Sequence, residues 1–439
     1  MTLTAGNGST PKDIGREPKE KYLAEFSAAE KDLPGRGLAW VESRRRRALD
    51  RFEAQGFPTE KTEDWRFTPV ARLIAAPSAL NAEAPKGFDA AKLALCEISP
   101  YRLVFVNGRY VSDFSRPLPK GAVFGSLSSL IKTSPKSIEP YLGRAGDGHA
   151  FNNLNTAFFS DGAVLHLAKG VKLEEPVHLL FVSTGGASFV RVLIVAGPGS
   201  SAAVVAEFCG EGDYATNAVV EVLADDGSRV ELITLQRESR EARFICALRA
   251  RQQKDSVFVS HSITLGAGVS RNDVDVKLEG EGADCTLNGL YALEGTQHAD
   301  HNTIVTHAKP HGTSRELYKG VLDGRARAVF NGAIVVEKDA QKTSALVYNK
   351  NLLLSENAMV NTKPEFKINA NDVQCRHGAT IGQLSADALF YLRSRGLSPE
   401  AARSLLVHAF ASEMVDAVGV EPVREALSEV LHKRLPESA

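Results

Sequence analysis

Cysteine is scarce in this chain. It occurs five times in 439 residues, at Cys96, Cys209, Cys246, Cys285 and Cys375. The number is odd and no two are spaced as CxxC, so a disulfide framework is excluded as the organising device, and reduced, mostly buried thiols are expected. No charge sign dominates: the formal net charge is −1, so no overall field draws nucleic acid. No apolar run approaches the roughly 20 residues of a membrane span. Residues 1–22 lack the apolar core of a signal peptide, so a cytoplasmic protein without membrane contact is expected. Common catalytic signatures are missing as well. There is no GxxxxGK[ST] loop, no HExxH, no GxSxG and no GxGxxG between a strand and a helix, so ATP hydrolysis by this chain is not expected.

What is present fits a chain with a sizeable core: 43% of residues are hydrophobic and 24% charged. Residues 1–18, rich in Gly, Lys, Pro and Thr, are expected to be disordered. Residues 19–150 read as a mostly helical region with one small hairpin. Apolar spacing at Tyr22, Leu23, Phe26, Leu38, Trp40, Val41, Ala48, Leu49 and Phe52 is helical, with Gly56 as a stop. The basic run at 44–47 reads as a solvated helix face. The segment at 58–70, PTEKTEDWRFTPV, reads as a loop that docks Trp65 and Phe67. YRLVFVNGRYV, at 101–111, places two short strands around Asn107-Gly108, a hairpin signal.

From Asn155 to Thr380 the pattern changes. Short apolar runs, most of them five to seven residues long (VLHL, VHLLFV, RVLIVAG, AVVEVLA, RVELITL and their successors), alternate with Gly, Asn, Asp or charged pairs. A sandwich, a propeller and a β-solenoid all fit so many short strands. No motif recurs as propeller blades require, and NG or DG hairpins are too few for a sandwich. The pattern therefore favours a parallel β-helix over 151–384, with Asn331, Asn349, Asn351, Asn357 and Asn361 read as stacked-turn residues. The fold class expected is mainly β, flanked by N-terminal and C-terminal helical regions.

Residues 385–439 turn helical. Ser385 is a candidate N-cap, and Ser398-Pro399-Glu400 combines an N-cap, a proline at the first helical position and an acid in the first turn. The apolar face expected for that helix is Ala402, Leu405, Leu406, Ala409, Phe410 and Met414. At the junction between strands and helices, Cys375 and His377 are two residues apart. In a strand they point to one face and can meet one ligand or partner. Imidazole and thiolate both ligate borderline and soft metals, with His377 the candidate metal ligand. His298, His301, His307 and His311 match no standard zinc spacing, and the plainer reading puts them on a solvated face or an interface. Glu279, Glu281 and Asp284 lie close in sequence, but flanking Gly280 and Gly282 mark a turn rather than the paired carboxylates of a glycan-acting β-helix enzyme.

The segments at 58–70 and 103–111, together with NLNTAFFSDGAVLHLAKGV at 153–171, EEPVHLLFVS at 174–183 and CRHGATIGQLSADALFYLRSRGLS at 375–398, resemble the SufB/SufD family of iron–sulfur cluster assembly proteins. The His-Gly-Ala-Thr run at 377–380 resembles the SufD branch; SufB typically carries Glu where Gly378 stands. The resemblance implies a right-handed parallel β-helix between helical ends and a scaffold that is not itself an enzyme. It implies pairing with SufB through the C-terminal end of the β-helix, and docking of the ATPase SufC on the C-terminal helices around Arg393, Ser394, Arg395, Gly396 and Ser398. Iron or an Fe–S cluster would pass through the complex transiently. His377 would be the cluster-related ligand with Cys375 beside it, and no cofactor would be held stably by this chain alone, which lacks a full set of cysteine ligands. Without SufB the same end would make a homodimer. Two alternatives stay open: a homodimerising structural module that only positions SufB and SufC, and the glycan-acting enzyme.

Overall fold

The computed structural model describes residues 16–75, 80, 83, 88–111, 121–146 and 148–434. The tail expected at 1–18 lies outside these residues except for its last three, which begin helix α1 (Arg16–Ala29). Next come α2 (Ala39–Gln55) and α3 (Val70–Ile74). The hairpin β1 (Arg102–Val106) and β2 (Arg109–Tyr110) follows, then β3 (Ala122–Ser126), α4 (Leu127–Thr133) and α5 (Ala150–Phe158). The central strands are β4 (Asp161–Leu167), β5 (Val177–Ser183), β6 (Gly186–Ala196), β7 (Ser201–Gly210), β8 (Tyr214–Ala224), β9 (Arg229–Arg237), β10 (Arg243–Gln252) and β11 (Val257–Thr264). They continue as β12 (Val269–Leu278), β13 (Asp284–Leu293), β14 (His298–His307), β15 (Thr313–Leu322), β16 (Arg327–Val336), β17 (Thr343–Leu353), β18 (Met359–Ile368) and β19 (Val373–Gly382). Helices α6 (Ala386–Ser394), α7 (Pro399–Asp416) and α8 (Glu421–Arg434) close the described chain.

The strands coil into one parallel β-solenoid. Odd-numbered strands from β5 to β19 stack in one sheet and even-numbered strands from β4 to β18 in the other, each pairing in parallel with the strand two ahead. Among the described residues, only β1–β2 and β3–β4 pair antiparallel. The apolar runs read from the sequence are these strands. Strands of a parallel sheet covered on both faces carry near-continuous hydrophobic runs rather than strict alternation, and every residue of β5 and β6 is buried. The hairpin turn uses Asn107 and Gly108 at φ 48° and 76°, the left-handed pair that a two-residue turn matched to strand twist requires. Strand β1 also joins β5 in parallel, so the hairpin covers the first edge of the odd sheet, and β3 does the same for the even sheet.

The interior changes character along the axis. One column of inward residues, one per coil of the odd sheet, reads Phe105, Phe181, Phe208, Gln236, Thr264, Tyr291, Gly320, Asn351, Ile381. The phenylalanine rings stack at 4.8 and 4.9 Å. Beyond them the column turns polar. Tyr291 Oη donates to Asn351 Oδ1 at 2.5 Å and accepts from Asn349 Nδ2 at 2.9 Å. Gly320 is obligatory here, because a Cβ would come within 2.1 Å of the Tyr291 ring. Asn349 and Asn351 therefore lie inside the solenoid in β17, not in stacked turns as expected, since tyrosine hydroxyls can satisfy their amides there. His298, His301 and His307 are buried too, not on a solvated face. His301 stacks on Tyr291 at 5.0 Å, and His307 Nε2 shares a 2.9 Å hydrogen bond with Ser314 Oγ.

The outer face of the even sheet carries the N-terminal helices. Phe26, Phe52, Trp65, Phe151 and Phe158 pack on Ala187, Phe189, Ile245 and Val269. The outer face of the odd sheet carries α7 and α8, whose Val407, Ala411, Val423 and Leu427 pack on Val205, Ile233, Ile263 and Leu290. Two expectations are corrected. Arg45, in the basic run, is 4% exposed and donates to the carbonyls of Ala157 at 2.5 Å and Phe159 at 2.9 Å, because the end of α5 presents free carbonyls to it. Of the pair expected to dock, Trp65 is buried while Phe67 is 52% exposed: the 3₁₀ turn Glu63–Trp65 aims Trp65 at the sheet and leaves Phe67 outside.

Trp65 lies on Arg271, whose guanidinium carbon sits 3.7 Å from the ring centroid. Arg271 pairs with Asp273 at 2.7 Å and Asp300 at 2.5 Å and donates to the Asp64 carbonyl at 2.8 Å; Thr68 donates to Asp300. Burial alone would raise the Asp273 carboxyl, but Arg271 and His149 hold it well below the usual carboxylate range. This cluster ties residues 64–68 to β12 and β14. Truncating one partner of a buried ion pair costs about 3–5 kcal/mol because the remaining charge is uncompensated. Arg271→Met should therefore lower the urea midpoint strongly, and a midpoint within error of wild type would refute the assignment.

Glu316, inside β15, accepts from Thr303 Oγ1 at 2.6 Å, and its other oxygen has no partner among the described residues. Burial pushes its carboxyl up to about 7. A raised folded-state pKa stabilises fully below the unfolded value near 4.5, and that stabilisation is lost as pH rises through about 7. Glu316→Gln should thus gain stability over wild type between pH 5 and 8, by on the order of 3 kcal/mol at most. Chemical denaturation across that pH range reads the difference; parallel curves for the two proteins would refute it.

Candidate functional site

Each coil of a solenoid leaves an unpaired backbone edge for the next to cover. At the C-terminal end the series stops. Strands β18 and β19 each have a hydrogen-bonded neighbour on one side only. Ile368 and Ile381 are exposed there, although their ladder partners in the coil before, Val336 and Asn351, are buried, and Met359 is exposed on the outer face beside them.

Cys375 and His377 lie on β19 at this end. Their ladder partners are Ala345 and Val347, both fully buried in the interior, so the two side chains share the inward face of the last coil. His377 occupies the same column as Glu316, two rungs on. Nothing follows to bury it: His377 is exposed, its ring lying on Phe366 of β18 at 4.5 Å and 34°. Cys375 is half-buried against the core, and burial raises its thiol, so it is not an activated thiolate. Cys209, Cys246 and Cys285 are buried, and their thiols are pushed up as well. Gly378 points outward beside the Tyr348 ring, 3.0 Å from where a Cβ would stand, so a larger residue there requires the ring to shift. Among the described residues, no group of three His, Cys, Asp or Glu side chains converges to hold a metal ion. The ligand-capable pair at the open end is thus two groups on a surface, able to complete a coordination shell only with ligands from elsewhere.

The second candidate surface is the turn from α6 to α7. Ser385 Oγ caps α6 by accepting from Ala388 N, and Ser398 Oγ caps α7 by accepting from Ala401 N at 3.1 Å. Gly396, at φ 96°, makes the reversal between them. Arg393, Ser394 and Arg395 are exposed; Ser394 Oγ donates to the Tyr391 carbonyl, and Arg395 lies over the Tyr391 ring. The face of α7 differs from the one expected. Ala402, Ser404, Val407, Ala411, Met414 and Val415 are buried and Leu405 is exposed. Apolar and polar residues are interspersed around the helix, so its own spacing does not choose a face; the sheet and α8 do. The outcome leaves Phe390 75%, Tyr391 56% and Leu405 46% exposed on one helical pair. Sequence reasoning missed Phe390 and Tyr391 as surface residues because their spacing resembles that of core positions.

Of the acidic trio, Glu279 accepts from Gln253 Nε2, Glu281 stands in a turn and Asp284 pairs with Arg315 at 3.1 Å. Among the described residues, no helix is long and apolar enough to cross a membrane.

Comparison with known proteins agrees with this architecture. The family model described as SUF system FeS cluster assembly, SufBD core domain, matches residues 180–410, and that of the SufBD protein N-terminal region matches 16–179. An iron–sulfur cluster assembly SufBD family protein of Synechocystis is 33% identical over 410 residues, covering 89% of this chain and 90% of that protein. The iron–sulfur cluster assembly protein SufD of Escherichia coli is 29% identical (89% and 92% covered), and that of Bacillus subtilis 25% identical (95% and 98% covered). A parallel solenoid between helical ends, matched over both its regions, belongs to the SufB/SufD family, and the chain is a SufD-like member of the SUF system of iron–sulfur cluster assembly.

Proposed function

We propose that this chain is a non-catalytic scaffold subunit that pairs with SufB through the open end formed by β18 and β19 and carries SufC on its C-terminal helices. In this reading iron or a nascent cluster is cargo, met by His377 at the paired ends. The observation that carries the proposal is the asymmetry of the solenoid. Its first edges are covered by β1–β2 and β3, while its last edges, beside His377, are free. A related solenoid end can continue both sheets across the junction, bury Met359, Ile368 and Ile381, and add ligands to His377 and Cys375. Neutral imidazole ligates iron without losing a proton, whereas the Cys375 thiol must first lose one against the cost of burial.

A free edge is also self-complementary. In the absence of SufB the same strands would pair two copies about a two-fold axis. Light scattering of the isolated chain at tens of micromolar should give a dimer; a monomer would weigh against this use of the edge.

The exposed Phe390, Tyr391 and Leu405, rimmed by Arg393 and Arg395, have the composition of an interface core with a charged border. They support docking of SufC at this turn. Co-expression with SufB and SufC tests both surfaces. Phe390→Asp should remove SufC from the purified complex and leave SufB in place. His377→Ala should leave the complex assembled and reduce its iron content after anaerobic purification, with Cys375→Ser reducing it less. Full cluster content with His377→Ala would return the chain to a purely positioning role.

A further inference from the structure

Beside the Arg271 cluster, on the outer face of the even sheet, lies an open cleft of about 500 Å³ between the loop after Trp65, the start of α3 and the starts of β14 and β16. Arg66, Arg72, Arg325 and Arg327 line it with His298 and Phe67, and Glu60 is its single carboxylate. None of the four arginines forms an ion pair among the described residues. Arg72 donates weakly to the Gly268 carbonyl at 3.3 Å, Arg327 reaches the Met359 sulfur at 3.6 Å, and Arg66 lies over the Phe67 ring. Buried arginines of the same sheet are treated otherwise, Arg191 being matched by Glu221 and Arg271 by Asp273 and Asp300.

His298 supplies an independent sign. It is 5% exposed and lines the cleft, and its Nε2 has no partner among the described residues. Other buried imidazole nitrogens, those of His301 among them, also lack a partner among the described residues, but His298 is the histidine that lines this cleft. Burial first, and then Arg72, Arg327 and Arg271, push its pKa down to about 4, so the ring is neutral and keeps one N–H to donate. Guanidinium groups supplied to one cleft by α3 (Arg72) and by the turn into β16 (Arg325 and Arg327) match an anion with several oxygens, each able to accept paired N–H bonds.

We propose that this cleft binds a small ligand carrying a diphosphate, with Arg72, Arg325 and Arg327 on its oxygens and His298 Nε2 completing the shell. Inorganic pyrophosphate and a nucleotide share that chemistry, and the exposed Phe67 ring is placed to receive a base in the second case. The cleft meets the open end where Arg327 touches Met359, and titrating the chain without SufB or SufC keeps its test distinct from theirs.

Calorimetric titration of the full chain with pyrophosphate and with ADP, at low ionic strength, tests it. At least one probe should bind at a single site and weaken as salt is raised. Arg72→Gln and Arg325→Gln should each weaken binding about tenfold, as loss of one charge-assisted contact does. Thr296→Glu, which adds a carboxylate in an exposed turn at the rim, should abolish it, while Arg36→Gln on a distant surface should not. ADP binding tighter than pyrophosphate and weakened by Phe67→Ala assigns a nucleotide; equal binding assigns the inorganic anion. Binding of neither probe, or binding that both Thr296→Glu and Arg72→Gln leave intact, overturns the proposal.

Discussion

Everything in this molecule depends on one constraint: a parallel strand must have both of its backbone edges paired or covered. A parallel coil cannot be closed by its own hairpin, so each turn of the solenoid becomes the template for the next. The chain meets the constraint at one end by spending β1, β2 and β3, two antiparallel joins in an otherwise parallel structure. At the other end it does not meet it. The two sheets end on β18 and β19, and the side chains that would be core in any earlier coil become surface. His377 is accessible because it is the next rung of a column whose earlier members, Glu316 and Val347, are buried.

The gradient inside the solenoid follows from the same stacking. Aromatic rings fill the early coils, where Phe105, Phe181 and Phe208 stack face to face. Later coils replace them with Tyr291, His301 and Tyr318, whose rings pack in succession, and with Asn349 and Asn351, which hydrogen-bond to each other and to the Tyr291 hydroxyl. A buried polar network specifies its neighbours more strictly than apolar packing, because each unmatched donor or acceptor is costly. The glycines at 289 and 320 belong to this arrangement: a methyl group on either would meet the ring of the adjacent coil.

The outer faces divide the labour. The N-terminal helices are fastened by packed aromatic rings and by Arg271, a charge fully enclosed by Trp65 and two carboxylates. The C-terminal helices are held mainly by apolar contact with the odd sheet, with Lys319 donating to the Phe410 carbonyl at 2.8 Å as one of a few polar ties. The first attachment is specific and rigid. The second leaves α6 with no buried residue, free to present its aromatic side chains outward.

Local residue chemistry alone determined a good deal of this. Strand existence, the Asn107-Gly108 turn, the Ser398-Pro399 helix start and the placing of Cys375 and His377 on one strand face all rest on backbone preferences that act over a few residues. The same sequence resembled the SufB/SufD family through its longer motifs, which carried the scaffold reading. Tertiary structure decided the rest. Whether Arg45 is solvated depends on carbonyls more than a hundred residues away. Which side of α7 is buried depends on the sheet beneath it. Whether Asn349 is a turn residue or a core residue depends on a tyrosine two coils earlier. The cleft of four arginines joins residues 66 and 327 across the fold. None of these can be read from local spacing, because burial and charge pairing are set by neighbours in space, and a solenoid brings those neighbours from one coil away or from the far end of the chain.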